Sequence, residues 1–437
     1  MARNEKNILE HFLNLFTPVR AGEGVSAVLL FANLFILLTS YYIIKPVREA
    51  LILAEGSAEL KSYMAAGQAI LLVFAVRGYS KLANRFPRKP LITVVTIFFA
   101  ACLVLFYILG QFAVPLGVVF FLWVGIFNLM IIAQFWAFAN DLYVPESGKR
   151  LFVIIQFGGS LGAVIGSVLV AGLIEPLGVY LPMLITAGLL LFSLVLTFAV
   201  DKREKNHSTE QKQIDELPLK PDGAFKLVFQ TKYLLLIAFM MLLLNWVNTT
   251  GEYILSRTVT DAAQNLAANS GADFSTREFI GKFYADFFSV VNVASLLIQL
   301  FIVSRILKFL GIRIALLILP LIALASYSII AFYPLLAIVR WTKTAENSTD
   351  YSLQNTVRQI LFLPTSREEK YKAKQAIDTF FWRAGDVLSA LLVFLGTLLA
   401  FQTKHFALFN VAIILIWIVL AVVIGRENKR LSKEAHE

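Results

Sequence analysis

Residues 24–54 read GVSAVLLFANLFILLTSYYIIKPVREALILA, and the fold class turns on this run. From Gly24 to Ile44 it carries no charged side chain. At about 1.5 Å per residue a helix over those positions crosses the roughly 30 Å hydrocarbon layer of a bilayer. Three ionisable groups then follow, Lys45, Arg48 and Glu49. Spacings of three and four residues put all three on one face of the helix. Pro46 loosens that turn, because it lacks an amide donor and crowds the carbonyl four residues earlier. A charge at the bilayer centre costs about 2.5–3.5 kcal/mol on insertion scales, so such residues face a protein-lined cavity and pair with one another. The alternative is that the helix has already reached the outer interface, roughly 33 Å from Gly24, where long side chains snorkel to water.

Similar runs recur outward from this one. Spans are expected near 24–54, 60–80, 90–110, 113–139, 151–174 and 178–200 in the first half, and near 233–257, 284–306, 312–333, 335–362, 374–401 and 404–425 in the second. A chain of 437 residues that is 58% hydrophobic and 16% charged, with mean hydropathy +0.73, is too apolar for a soluble protein. The runs are too continuous for the alternating strands of an outer-membrane barrel, so the expected fold is all-α. A single cysteine, Cys102, excludes an intramolecular disulfide and a thiolate cluster, and the 4 His include no close pair with zinc spacing. No cofactor or metal is expected. The net charge of +10 suggests nucleic acid at first sight, but membrane topology accounts for it and no nucleic-acid partner is expected.

Lys and Arg concentrate in alternate short loops: Arg77, Lys81, Arg85, Arg88 and Lys89; Lys149 and Arg150; Arg305, Lys308 and Arg313. The intervening loops GQFAVP, EPLGVY and FYP carry none. This asymmetry predicts an integral membrane protein with both termini cytoplasmic. The expected organisation is an interfacial segment over 1–23, a helical bundle over 24–200, a solvated linker over 201–232, a second bundle over 233–425 and a basic tail over 426–437. In the first segment Ile8, Leu9, Phe12, Leu13 and Phe16 share a helical face suited to the membrane surface. No small-residue cleavage site marks it as a signal peptide.

The segment RWTKTAENSTDYSLQNTVRQ, residues 340–359, lies where the tenth span belongs and is strongly polar. Arg340, Lys343, Glu346 and Asp350 are spaced three, three and four apart, followed by Gln354 and Arg358, which is one helical face. A loop would also tolerate these residues, but a helix keeps the span count even and the charge asymmetry intact. Asn33, Gln68, Asn128, Gln134, Asn140 and Asp141 in the first half, with Asn245, Asn248, Glu252, Asn292, Asp378, Arg383 and Asp386 in the second, outline a polar interior. FGGSLGAVIG, residues 157–166, places Gly158, Gly162 and Gly166 four apart, a spacing for close helix approach; no Gly-Lys-Ser or Gly-Lys-Thr follows, so it is not a phosphate loop. Nothing marks an ATPase domain, a nucleophile elbow or a paired-carboxylate active site. The expectation is a transporter driven by gradients or exchange, and no enzyme.

Both halves carry Leu-x-x-Pro-x-Ser and then a basic cluster after their fourth span, LYVPESGKR from Leu142 and LFLPTSREEKYK from Leu361. Two six-helix bundles repeated about an axis along the membrane normal is the arrangement of major facilitator transporters. More specific motifs point within that group. EEKYKAKQAIDTFFWRAGD resembles the Lys-x-Lys-x-Ala-Ile-Asp and Arg-x-Gly stretch of the ATP/ADP translocases of plastids and intracellular bacteria, through Lys372, Lys374, Ala376, Ile377, Asp378, Arg383 and Gly385. TVRQILFLP resembles that family's Thr-Lys-Glu-Met-Ala-Tyr-Ile-Pro, with Arg358 at the lysine and Gln359 at the glutamate. FWAFANDLYVPESGKRLF is similar to its Phe-Trp-x-x-Ala-Asn segment, which brings in Asn140, and the opening stretch is similar to its Ile-Leu-Arg-x-x-Lys-Asp-x-Leu. Gln359 replaces an acid, and Pro46 stands where the family has Asp.

The resemblance implies exchange of nucleotides or related phosphorylated anions. A nucleotide's several negative charges need cations, and Lys45 and Arg48 with Arg340, Lys343 and Arg383 are the candidates for a phosphate clamp. Glu49, Glu346, Asp350 and Asp378 would hold those cations between turnovers, and the matched motifs add Asn140, Arg358 and Lys374 to the expected substrate-binding set. The competing readings are a proton-coupled carrier or exporter of another metabolite, titrating Asp141, Glu252 or Asp378, and a non-transporting membrane sensor or assembly component.

Overall fold

A computed structural model describes residues 8–14, 17–143, 145–205, 224–270, 274–366, 369 and 373–434. Phe16, Lys372 and linker residues 206–223, all singled out by the sequence, lie outside the described residues. The described residues form helices throughout: α1 Ile8–Leu13, α2 Gly24–Glu55, α3 Ala58–Arg85, α4 Arg88–Gln111, α5 Gly117–Leu142, α6 Pro145–Leu177, α7 Leu181–Lys205, α8 Ala224–Gln230 and α9 Lys232–Ser270. There follow α10 Thr276–Phe301, α11 Val303–Phe309, α12 Gly311–Phe332, α13 Leu336–Thr349, α14 Asn355–Leu361, α15 Lys374–Ala376, α16 Trp382–Leu398 and α17 Thr403–Glu434. Among the described residues, 11 helices are long and apolar enough to cross a membrane. The polar segment expected as the tenth span is also helical: α13 runs through a π-turn at Asp350–Gln354 directly into α14. A second π-turn, Ile377–Phe381, joins α15 to α16. The basic residues after Gly425 continue α17.

The chain divides into two compact units, and neither is a single stretch of sequence. Unit 1 comprises Met1–Glu55, Leu71–Asp215 and Arg277–Asn292; unit 2 comprises Gly56–Ile70, Glu216–Thr276 and Val293–Glu437. Helices α3 and α10 are therefore each shared. The first part of α10 is fixed inside unit 1: Arg277 donates to the Tyr180 hydroxyl at 2.7 Å and pairs with Glu55 at 3.1 Å, and Lys282 donates to the Ala171 carbonyl at 2.6 Å. The first part of α3 is fixed inside unit 2, where Lys61 Nζ donates to Ser256 Oγ and the Tyr253 hydroxyl donates to Glu59, both at 2.8 Å.

In unit 1, α2 is the central helix, with α5, α6 and α7 packed along it. The close approach of α6 comes from its glycine row. A Cβ at Gly158 would stand 2.5 Å from the Phe31 carbonyl oxygen and one at Gly166 2.6 Å from that of Thr39, while one at Gly162 would collide with the Phe35 carbonyl. Thr39 Oγ1 uses the space to donate to the Gly162 carbonyl at 3.2 Å. In lipid no hydrophobic difference drives helices together, so such backbone-to-backbone packing supplies the association energy. An aromatic block of α4 and α5 fills the rest, with Trp123 stacked on Phe127 and Phe99 edge-on to both.

The segment before α2 folds back on this unit. Leu13 is buried in a small cluster with Val19, Ala27, Leu151 and Ile154, whereas Ile8 and Phe12 are exposed. The amphipathic face read from sequence is thus divided: one edge docks on protein and the other remains uncovered. Glu23 locks the fold-back. Both its oxygens meet the Arg150 guanidinium, at 2.8 and 3.0 Å, and Ser147 Oγ donates to it at 3.2 Å. Partial burial pushes the Glu23 carboxyl up, but hydrogen bonds from Arg150, the Arg20 amide and Ser147, with the Arg150 charge, outweigh it and leave the group below its ordinary value of 4.5.

Two predictions follow from these contacts. Gly162→Leu is expected to cost about 1–3 kcal/mol in detergent melting, because the side chain must push α6 off α2, while Gly172→Ala, at a position with open space around it, leaves the melting temperature essentially unchanged. A depressed carboxylate contributes stability above its unfolded value and loses it as pH falls through its folded one. The gap in melting temperature between wild type and Glu23→Gln should therefore be constant above about pH 5 and shrink as the medium is acidified through the lowered Glu23 value; a gap that widened on acidification would contradict the assignment.

Candidate functional site

Helices α9, α12 and α13 of unit 2 build an enclosed ion-pair cluster. On α9, Asn245, Asn248, Thr249 and Glu252 recur at three, four and seven residues, so they line one face; on α13, Lys343, Glu346 and Asn347 do the same. Lys343 is 1% exposed, and its ammonium lies 3.1 Å from Glu346 Oε1, 3.0 Å from Asn248 Oδ1 and 3.9 Å from Glu252 Oε1. The Tyr327 hydroxyl of α12 donates to Glu346 Oε2 at 2.9 Å, and Asn347 Nδ2 donates to Glu252 Oε1 at 3.0 Å. Gly251 makes room: a Cβ there would overlap the Tyr327 hydroxyl and stand 3.0 Å from Lys343 Nζ. The cation is held by two carboxylates and an amide, in surroundings where a lone ammonium would be expensive.

Beside it a second acid site joins α9 to Asp386 of α16. Asp386 Oδ1 accepts from Asn245 Nδ2 at 2.7 Å and from Thr249 Oγ1 at 2.9 Å, while Oδ2 pairs with Arg383 at 3.1 Å. Arg383 therefore reaches the site through Asp386, a residue the sequence marked only as interior.

Other expected residues are dispersed. Arg340 is half-buried, with its guanidinium 5.7 Å from the Trp341 ring centre. Asp350 and Gln354 sit on the first π-turn, both buried; Asp350 Oδ1 and both amide atoms of Gln354 have no hydrogen-bond partner among the described residues. Asp378 is exposed on the second π-turn. Arg358 lies over the Trp382 ring at 4.8 Å and donates to Asn355 Oδ1, and Lys374 donates to Gln359. Fifteen residues separate Arg358 from Lys343, roughly 22 Å of helix, so these cations form a group apart from the Lys343 cluster.

In unit 1, α2 continues through Pro46, which is buried. Lys45 is 8% exposed, with its ammonium 3.9 Å from the Phe288 ring centre and 5.1 Å from that of Tyr42. Arg48 pairs with the adjacent Glu49 and lies 4.9 Å from the Phe121 ring. The expected charged triplet is thus real as a neighbourhood, but an aromatic wall faces its lysine. Asn140 is exposed in the last turn of α5. From Phe121 on the same helix it is nineteen residues away, about 28 Å, so it does not join Lys45, Arg48 and Glu49.

Comparison with known proteins fits this architecture. The Major Facilitator Superfamily model matches residues 30–345, and the TLC ATP/ADP transporter model matches residues 342–428. An ADP,ATP carrier protein 1 of Chlamydia pneumoniae is 24% identical over 98% of this chain and 96% of its own length. That of Chlamydia trachomatis is 21% identical over 68% of this chain and 62% of its own length. Among solved structures, the nucleoside transporter NupG aligns with a TM-score of 0.60 at 12% identity, covering 93% of this chain and 99% of NupG. A bacterial homologue of the iron transporter ferroportin aligns with a TM-score of 0.62 at 14% identity, covering 92% and 98%.

Tyr327 and Asn347 are members of the cluster that the sequence did not single out. Tyr327→Phe removes a hydrogen bond to a buried carboxylate and is expected to cost about 1–3 kcal/mol. Gly251→Ala, which forces the same hydroxyl aside, should cost a similar amount. The two together should cost clearly less than their sum in a double-mutant melting cycle.

Proposed function

The chain belongs to the major facilitator superfamily, and we propose that it is an exchanger of adenine nucleotides or closely related phosphorylated anions, working by alternating access in a bacterial inner membrane with both termini cytoplasmic. As a superfamily transporter it carries solute across the bilayer and is not an enzyme. The observation that carries the substrate reading is the pairing of near full-length similarity to an ADP,ATP carrier with a buried lysine held by carboxylates inside the region that meets the ATP/ADP transporter model.

The chemistry runs as ligand replacement. Between turnovers Glu346 and Glu252 neutralise Lys343, and Glu49 neutralises Arg48. An arriving phosphate offers those cations denser charge and more acceptor oxygens than one carboxylate does, so it displaces them in part. Arg340, Arg358, Lys374 and Arg383 are the further cations of the proposed binding set, with Asp350 and Asp378 as their counter-charges and Asn140 as a polar member near the end of α5. When the nucleotide leaves, its cations need either their carboxylates back or another nucleotide, and this favours exchange over one-way release.

A second reading has its own observation: at Lys343 two carboxylates share one ammonium. A carrier that loads a proton there would couple transport to the pH gradient.

Proteoliposomes separate the two. With labelled ATP outside, preloading with unlabelled ADP is expected to raise uptake at least about tenfold, a barrier change of about 1.4 kcal/mol, and collapsing the pH gradient should change little. Lys343→Gln, which leaves Glu346 and Glu252 without their cation, should melt below the wild type and lose uptake when compared at equal amounts of reconstituted protein. Uptake indifferent to internal nucleotide but abolished by a protonophore would transfer the case to the proton-coupled carrier.

A further inference from the structure

Inside unit 1, helices α2, α4, α5 and α7 line a small cavity distinct from the ion pairs. Its polar lining is Asn33, Thr96, Gln134, Ser193 and Thr197, and every lining residue is uncharged. There is room for about one water-sized body. All five polar residues are buried, Asn33 to 2% exposure.

The hydrogen-bond directions decide what the cavity asks for. Ser193 Oγ donates to the Leu190 carbonyl at 2.7 Å, and Thr197 Oγ1 donates to the Ser193 carbonyl at 3.0 Å. Asn33 Nδ2 donates to Thr197 Oγ1 at 2.8 Å. Gln134 Nε2 donates to the Ile92 carbonyl and to Thr96 Oγ1, both at 3.4 Å. The hydroxyl protons of Ser193 and Thr197 are thus directed at their own helix, and the amide groups of Asn33 and Gln134 at neighbouring oxygens. Beyond these bonds the oxygens of Asn33, Thr96, Ser193 and Thr197 all retain lone pairs. Asn33 Oδ1 itself has no hydrogen-bond partner among the described residues. A water molecule brings two protons and satisfies two such acceptors, whereas a cation coordinates all of them at once. Neutral oxygen cages hold dehydrated monovalent cations in the selectivity filters of channels. A divalent ion needs carboxylates to offset its desolvation, and the lining has none.

We propose that this cavity is a binding site for a monovalent alkali cation, coordinated by Asn33 Oδ1 with the hydroxyl oxygens of Thr96, Ser193 and Thr197. Bound there, the ion ties α2 to α4 and α7 in the core of unit 1. Asn33 is twelve residues before Lys45, so the ion is fixed on the same helix as the Lys45–Glu49 charges, about 18 Å along its axis.

The test uses the full chain purified in detergent, melted in NaCl, in KCl and in N-methylglucamine chloride at equal ionic strength. The melting temperature is expected to be at least about 2 °C higher in one of the alkali salts than in the organic salt, as for any ligand that binds only the folded state. Asn33→Ala should abolish that increment. Ser193→Ala, whose hydroxyl serves only its own helix in the fold, should reduce it, and it decides the matter if Asn33→Ala does not fold. Identical melting in all three salts overturns the proposal and leaves a buried water as the occupant. An alkali-specific increment that survives in the folded variants overturns it as well, because the ion then acts elsewhere.

Discussion

Hydrocarbon offers no partner to an ammonium or a carboxylate, so every charge at membrane depth must arrive with its counter-charge supplied by protein. The Lys343 ammonium meets this condition with groups from two helices, and the Tyr327 hydroxyl of a third holds one of its carboxylates in place. Breaking a buried pair by removing one partner costs about 3–5 kcal/mol, far more than the pair contributes over an apolar substitute. The cluster is therefore poor as a stabilising device and effective as a constraint: α9, α12 and α13 are held in the one register in which all its charges are met. That is a reason to read it as retained for chemistry.

The same condition shapes unit 1 by different means. Its core is mostly apolar, and the association of α6 with α2 relies on glycines that bring backbones together. Lys45 is faced by aromatic rings, whose negative faces attract a cation without a full opposite charge.

Much of this was legible in the sequence because hydrophobic runs and charge asymmetry are local signals. The helical identity of the tenth segment was legible for a subtler reason, the three-and-four spacing from Arg340 to Asp350, which outweighed its polarity. The sharing of α3 and α10 between units was not, since hydropathy marks where a helix crosses and not which neighbours it keeps. Tyr327 was hidden because the hydroxyls of α12, Ser326, Tyr327 and Ser328, are consecutive and so mark no one face of a mostly apolar helix, and Phe288 near Lys45 because the contact spans more than half of the chain. The stripe Asn245, Asn248, Thr249, Glu252 was present in the sequence and, given its i, i+3, i+4, i+7 period, was the signal that α9 faces the Lys343 cluster. Asn140 entered the set through a motif match alone, and its place in the last turn of α5, about 28 Å along the helix from Phe121, could not be read from the motif.

The π-turns of unit 2 bear on how such a cluster can also move. Each inserts one residue into a helix and leaves the local ladder of backbone bonds weaker, a feature common at functional sites. The first follows directly after the segment carrying Lys343 and Glu346, and the second precedes Arg383 and Asp386. A rigid helix could release its counter-charges only by breaking the buried pairs outright. A helix with a loosened turn beside the pair can rotate a side chain away at the smaller cost of adjusting that turn, while the rest of the bundle stays packed.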